Sequence, residues 1–254
     1  MSWAARRRFF ILLIIGAVVI AFLAVLSIAT FYKTPTCTDG VKNQDEDGID
    51  CGGSCAYLCT EQMYSPTVLF TKALQYNSGR TDVIAMIENK NAAAAAKNVQ
   101  YRITLYGAGQ SLVQQVTGTL DLPAGARVPI YAPGITSGKQ KVVNAFLDVI
   151  PSSLRWFTAT SDVRVVPIVL NTKHTGASTT PRIEAILSNQ NISAMTSVKV
   201  VILVRNESGD VIAASSTIVP SIPPQGQATA AFTWNSEFTS ALASIEVVPI
   251  IPLP

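Results

Sequence analysis

Residues 83–91 read VIAMIENKN, and residues 183–191 read IEAILSNQN. Apolar side chains alternate along both runs, Val83, Ala85 and Ile87 in the first and Ile183, Ala185 and Leu187 in the second, and each run stops on Asn-x-Asn. A period of two marks extended backbone with one buried face, because successive side chains of a strand point to opposite sides. The correspondence continues downstream. Val99, Tyr101, Ile103 and Leu105 answer to Val198, Val200, Ile202 and Val204, Gly109 to Gly209, and the turn Pro123-Ala124-Gly125 to Pro224-Gln225-Gly226. Each half closes on a strand-like run ending in proline, Leu147-Asp148-Val149-Ile150-Pro151 and Ile245-Glu246-Val247-Val248-Pro249. Shared order over about 70 residues reads as a tandem duplication.

Val, Ile, Thr and Tyr dominate these runs, and Gly, Pro, Asn and Ser punctuate them. That composition describes an antiparallel sandwich with one face of each sheet buried. The fold class expected is therefore all-β, with two tandem immunoglobulin-like β-sandwiches at residues 65–160 and 161–254. The one strongly helix-favouring stretch, Ala92 to Lys97, is too short to stand alone and is expected as a loop or a single turn. Both repeats resemble the FxLYD-like and LEA-type β-sandwich modules, in which Asn-x-Asn closes one strand and a hairpin strand follows. Ile103-Thr104-Leu105-Tyr106-Gly107 follows the F-x-L-Y-D pattern with Ile for Phe and Gly for Asp. Ile202-Leu203-Val204-Arg205-Asn206 keeps only the apolar alternation. The resemblance implies envelope or accessory domains and brings no catalytic residues.

Upstream, residues 9–32 read FFILLIIGAVVIAFLAVLSIATFY, without a charge. A helix of this length spans about 36 Å, enough to cross a ~30 Å hydrocarbon core. Arg6, Arg7 and Arg8 precede it, so the positive-inside rule puts residues 1–8 in the cytoplasm as a short tail and the remainder on the far side or the cell surface. Trp3 on one side, with Phe31 and Tyr32 on the other, suits the interfacial aromatic belts. The competing reading is a signal peptide cut at Ala29–Thr30. Against it, such apolar cores usually run only about 7–15 residues. Three of the 19 basic residues precede the helix, and the remaining 16 equal the 16 acidic ones. The ectodomain is thus near neutral and lacks the basic field that nucleic-acid binding needs.

All four cysteines lie in CTDGVKNQDEDGIDCGGSCAYLC, residues 37–59. Four cysteines packed beyond a membrane anchor point to two disulfides among Cys37, Cys51, Cys55 and Cys59, in a small module at 33–64. Three connectivities remain open. Zinc is disfavoured because no C-x2-C knuckle is present. Between the first two cysteines, Asn43, Asp45 and Asp47 place oxygen side chains at positions 1, 3 and 5 of a loop. Gly48 stands at the turn, Ile49 offers a backbone carbonyl, and Asp50 follows. That spacing suits Ca²⁺, although Ser54 stands where an EF-hand has its bidentate Glu. The string C-x-D-G-x-x-N-x-x-E-x-G-x-D-C-G-G-x-C, matched at Cys37, Asp39, Gly40, Asn43, Glu46, Gly48, Asp50, Cys51, Gly52, Gly53 and Cys55, resembles a short Cys-rich segment of microbial surface proteins. It is also similar to the aspartate-rich calcium loops of thrombospondin type 3 repeats. The resemblance implies cell-surface placement more than chemistry.

Signs of catalysis are scarce. His174, the single histidine, sits in the polar stretch 171–176 and is expected as a solvated loop residue; no G-x-S-x-G elbow accompanies it. Gly134–Lys139 is one residue short of a P-loop, with Gln140 where a magnesium ligand belongs, and Gly107-Ala108-Gly109 lacks the third glycine of a dinucleotide fingerprint. Asn191-Ile192-Ser193 and Asn206-Glu207-Ser208 are glycosylation sequons. Trp156 and Trp234 read as core or strand-edge residues. The function expected is non-enzymatic: a single-pass membrane protein in which a stapled collar displays two sandwiches to a protein or glycan partner. The alternatives are an accessory subunit of a secretion, pilus or transport assembly, and a carbohydrate-binding or carbohydrate-active ectodomain.

Overall fold

The computed structural model describes residues 3–31, 36–43, 45–76, 79–135, 141–159 and 164–254. The chain divides into two compact units, Met1–Cys55 and Ala56–Pro254. In the first, α1 (Trp3–Phe31) is a continuous helix. Its stretch Arg6–Thr30 is long and apolar enough to cross a membrane, and none of it is buried. Beyond Arg8 its apolar side chains are spread around all sides, the composition of a membrane span or a signal sequence. Of the expected aromatic belt, Tyr32 lies outside the described residues.

The second unit is all antiparallel β. In repeat one, β1 (Thr67–Gln75), β2 (Thr81–Glu88) and β5 (Arg127–Ala132) form one sheet, in the order β1-β2-β5. The facing sheet has the order β4-β3-β6, from β3 (Ala94–Tyr106), β4 (Leu112–Leu122) and β6 (Asn144–Val149), with β7 (Trp156–Thr158) paired to the start of β3. Repeat two has the same plan. β8 (Ile168–Thr175), β9 (Arg182–Ser188) and β12 (Gln227–Thr233) run β12-β9-β8, against β11-β10-β13, made of β10 (Met195–Arg205), β11 (Val211–Ile222) and β13 (Ser244–Ile250). Even the irregularities recur: bulges break β1 at Val68/Phe70 and β8 at Val169/Asn171. Each sandwich has its own core, centred on Val83, Ile87, Ile103, Leu105 and Trp156 in repeat one and on Ile183, Leu187, Val200, Ile202 and Phe232 in repeat two.

The Asn-x-Asn signature is a structural device. Asn89 is buried, and its Nδ2 donates to the carbonyls of Ala94 and Pro123, both at 2.8 Å, while its Oδ1 accepts the Asn91 N–H at 3.0 Å. Asn189 repeats this with the carbonyls of Ser193 (2.8 Å) and Pro223 (3.0 Å) and the Asn191 N–H (2.9 Å). One amide therefore satisfies loop carbonyls and an N–H that would otherwise be buried unpaired. Asn189→Ala is expected to lower stability by about 3 kcal/mol in urea unfolding, because it strands several such groups; a loss below about 1 kcal/mol would contradict this role.

Four expectations change. The turn alignment slips by one residue, because Ala126 N–H donates to Pro123 O and Gly226 N–H to Pro223 O, making Pro223 the partner of Pro123. Gln225, at φ 48°, then occupies the left-handed position that Gly125 fills at φ 62°. Gln225→Gly should accordingly raise stability by about 0.5 kcal/mol, read as a shift of the urea midpoint at unchanged slope. Second, Ala94 to Lys97 are strand, leaving only Ala92 and Ala93 in a turn. Three small side chains, Ala94, Ala95 and Ala96, pair with Thr158, Phe157 and Trp156, and tertiary packing outweighs their helical preference.

Third, burial is not confined to one face. Every residue of β2 from Thr81 to Ile87 is buried, and so is β10 from Val200 to Val204. The second faces meet: Leu74, Ile84, Met86 and Tyr131 of repeat one pack with Val201, Leu203, Val211 and Ala214 of repeat two. The sandwiches thus share a third apolar cluster besides their own cores. Fourth, residues 56–64, grouped by sequence with the cysteine module, are bonded to repeat one: Leu58 N–H donates to Trp156 O at 2.8 Å, and Asn91 Nδ2 to Tyr64 O at 2.8 Å.

Candidate functional site

Where the two sandwiches meet, the β1–β2 hairpin and the end of β12 enclose a cleft of about 380 Å³, lined by Tyr76, Arg80, Asp82, Tyr131, Ser215, Thr233, Trp234, Asn235 and Ser236 among others. Asp82 is its hub, 1% exposed. A buried carboxylate is tolerated only when paired and hydrogen-bonded. Here Arg80 Nε donates to Oδ1 at 2.7 Å and Nη2 to Oδ2 at 3.1 Å, the Gly134 N–H donates to Oδ1 at 2.7 Å, and the Tyr131 hydroxyl donates to Oδ2. Burial pushes the Tyr76 phenol up to about 12, with the Asp82 charge adding to it; burial likewise raises Tyr131, helped by its hydrogen bond to Asp82 and then by the Asp82 charge.

Both shifts favour the neutral phenol in the folded state. The Tyr76 contribution is fully present below the ordinary tyrosine value near 10 and is lost as pH climbs through about 12. The melting temperature is therefore expected to hold up to about pH 10 and to fall between about 10 and 12, with a smaller fall in Tyr76→Phe. An identical pH profile in that variant would remove Tyr76 from the account.

One hundred residues on, the counterparts of Tyr76, Arg80, Asp82 and Tyr131 are Gly176, Thr180, Arg182 and Ala231, so the cluster is peculiar to repeat one. Chemically the lining offers hydroxyls, an amide and an indole around a neutralised ion pair. It suits hydrogen-bonded contact with an uncharged polar group. The sequence carried a faint signal, an Asp at the head of a run of apolar residues with an Arg two positions before it. Nothing local announced Tyr131 or Trp234.

The cysteine module uses its acids as internal braces. Cys37 is bonded to Cys55, and Cys51 and Cys59 are disulfide-bonded as well, so no cysteine is free. Asp50 accepts the N–H groups of Asp39 (3.0 Å) and Gly40 (2.9 Å), and Glu46, 6% exposed, accepts those of Asn43 and Asp50, both at 3.3 Å. Asp47 accepts the Gly53 N–H at 3.3 Å, and Asp45 the Ser54 hydroxyl at 2.8 Å. Ile49 is exposed, and Asn43 Oδ1 is buried without a hydrogen-bond partner. Among the described residues the one trio of His, Cys, Asp or Glu ligand atoms within 4.8 Å of one another is Cys37, Glu46 and Cys55, whose sulfurs form the disulfide. Asp45, Asp47 and Asp50 are not gathered in this way. The paired glycines are obligatory: a Cβ on Gly53 would lie 1.9 Å from the Asp45 carbonyl oxygen, and one on Gly52 2.4 Å from an Asp47 carboxylate oxygen.

His174 lies in the edge strand β8 rather than in a loop, because β8 pairs with β9 as far as Thr175↔Arg182. It is exposed and stacks on Phe238, ring centroids 6.1 Å apart. Trp156 and Trp234 are both buried, at 1% and 6% exposure, and so serve cores. Gly107–Gly109 makes the turn between β3 and β4, and of the P-loop-like stretch residues 136–140 lie outside the described residues. Asn191 and Asn206 occupy turns after β9 and β10.

No family model matches this chain, and no curated protein does. Among solved structures it is similar to the crystal structure of red sea bream transglutaminase at TM-score 0.25 and 13% identity, covering 76% of this chain and 32% of that one. It is also similar to a Bacteroides fragilis protein assigned as a β-galactosidase, at TM-score 0.21 and 12% identity over 69% and 33%. This chain spans about a third of either protein, and likenesses this distant bear on neither its fold nor its activity.

Proposed function

We propose that this chain is a membrane-anchored, non-catalytic envelope or cell-surface protein, which displays two coupled β-sandwiches for structural or binding roles. The observation that carries the reading is the union, in one chain, of an unburied apolar helix at Arg6–Thr30 with four oxidised cysteines soon after it. Disulfides persist in oxidising compartments, so the segment beyond the helix belongs outside the cytoplasm, with Arg6, Arg7 and Arg8 inside. The polar lining of the Asp82 cleft supports contact with a protein or glycan partner. Protease added to intact cells should remove residues 56–254 and leave the helix in the membrane fraction. Protection until the cells are permeabilised would defeat the orientation, and release of a chain beginning at Thr30 would make the protein secreted.

Calcium binding at Asn43, Asp45, Asp47, Ile49 and Asp50 belongs to the same proposal. It requires Asp45 and Asp47 to exchange their bonds to Ser54 and Gly53 for the ion. Calorimetry with and without a chelator reads it, and an unchanged unfolding temperature removes calcium from the proposal.

A further inference from the structure

Strands β6 and β13 pair with β3 and β10 in equivalent places, and proline marks the end of each: Pro151 lies two residues past β6, and Pro249 is the penultimate residue of β13. After Pro151 the chain turns back, with Leu154 N–H donating to Pro151 O at 3.1 Å, and returns as β7 to cover the start of β3. After Pro249 it does something else. Ile250 packs against both the repeat-one core and the cluster shared by the sandwiches. The Ile251 carbonyl accepts from Arg164 Nη1 at 2.9 Å. Leu253 is buried, 8% exposed, and its N–H donates to Asp121 Oδ2 at 2.8 Å. The Pro254 carbonyl accepts from Lys97 Nζ at 2.6 Å.

Asp121 and Lys97 belong to β4 and β3, so the end of repeat two is tied to repeat one. The other Asp121 oxygen accepts the N–H of Asn98 at 2.9 Å, where β3 bulges at φ 52°. One carboxylate thus organises both the bulge and the docked tail. Repeat two has Ser221 where repeat one has Asp121, so it carries no equivalent seat. Pro249, Pro252 and Pro254 restrict φ along the tail and reduce the freedom that docking must remove.

We propose that residues 250–254 are a latch that holds the two sandwiches at one angle. The latch reaches β3 and β4 of repeat one, strands that do not belong to its β1-β2-β5 sheet, so it opposes rotation about the shared apolar cluster. With the latch released, the sandwiches are a hinged pair around that cluster.

The test uses the full chain in lipid nanodiscs, with spin labels at Gln114→Cys and Thr229→Cys, exposed positions in different sandwiches. The native cysteines are all oxidised and take no label. The parent should give one narrow distance population, and Leu253→Asp should broaden it at least about two-fold while Trp emission stays native. Should Leu253→Asp fail to fold, the double variant Lys97→Met/Asp121→Ala, which spares both cores, carries the test with the same expected broadening. A parent-like width in whichever folded variant is measured overturns the latch.

Discussion

Asp82→Ala is expected to lower the stability of the β unit by about 3–5 kcal/mol, measured by urea denaturation of the full chain in micelles. Removing the carboxylate takes away an acceptor shared by the Arg80 guanidinium, the Tyr131 hydroxyl and the Gly134 N–H. Breaking one side of a buried charged cluster strands the other, which is why the penalty exceeds that of a surface ion pair. The Arg80 side chain is half exposed and Gly134 is exposed, so both recover hydration, and most of the loss falls on the buried Tyr131 hydroxyl. Tyr131→Phe removes one of the bonds and should cost only about 1 kcal/mol. If the two variants lost the same amount, Asp82 would not be the hub.

Leu203→Asp should uncouple the sandwiches. Leu203 is fully buried, in the cluster where β10 faces Leu74, Ile84, Met86 and Tyr131 of repeat one. Its substitution forfeits about 2–3 kcal/mol of apolar burial and places an unpaired charge in the same space. The cores of both sandwiches lie on the opposite faces of their sheets and remain intact. Trp156 and Trp234 report on one core each. In the parent their melts should coincide; in Leu203→Asp, compared in Trp156→Phe and Trp234→Phe backgrounds, they should separate. Coincident melts in the variant would mean that the shared cluster does not couple the repeats.

The outer faces explain why coupling runs in one direction. On the sheet that repeat one presents to its neighbour stand Leu74, Ile84, Met86 and Tyr131. The corresponding sheet of repeat two carries Thr175, Glu184, Ile186 and Ala231 at equivalent places, with Arg182 bonded to Glu184 at 2.8 Å.

Much of this was legible in the chain. The apolar run at 9–32 read as a helix because every residue in it agrees, and no distant partner is needed to form one. The alternation at 83–87 and 183–187 identified strands, and Asn89 and Asn189 revealed the duplication because each amide serves a turn only a few residues away along with one partner strand. What escaped was decided at long range. Three disulfide pairings were equally compatible with the spacing, and only the folded loop brings Cys37 to Cys55. The continuous burial of β2 and β10 depends on faces some 120 residues apart in sequence meeting each other, which a period of two cannot anticipate. The Asp82 hub joins a hairpin to the end of β5, and the tail at 250–254 reaches residues 97 and 121. Local chemistry thus determined the elements of this protein and their repeat. The tertiary structure alone decided which second faces are buried, where the buried Asp82 carboxylate finds its donors, and how the two sandwiches are held, because those depend on partners that only folding brings within bonding distance.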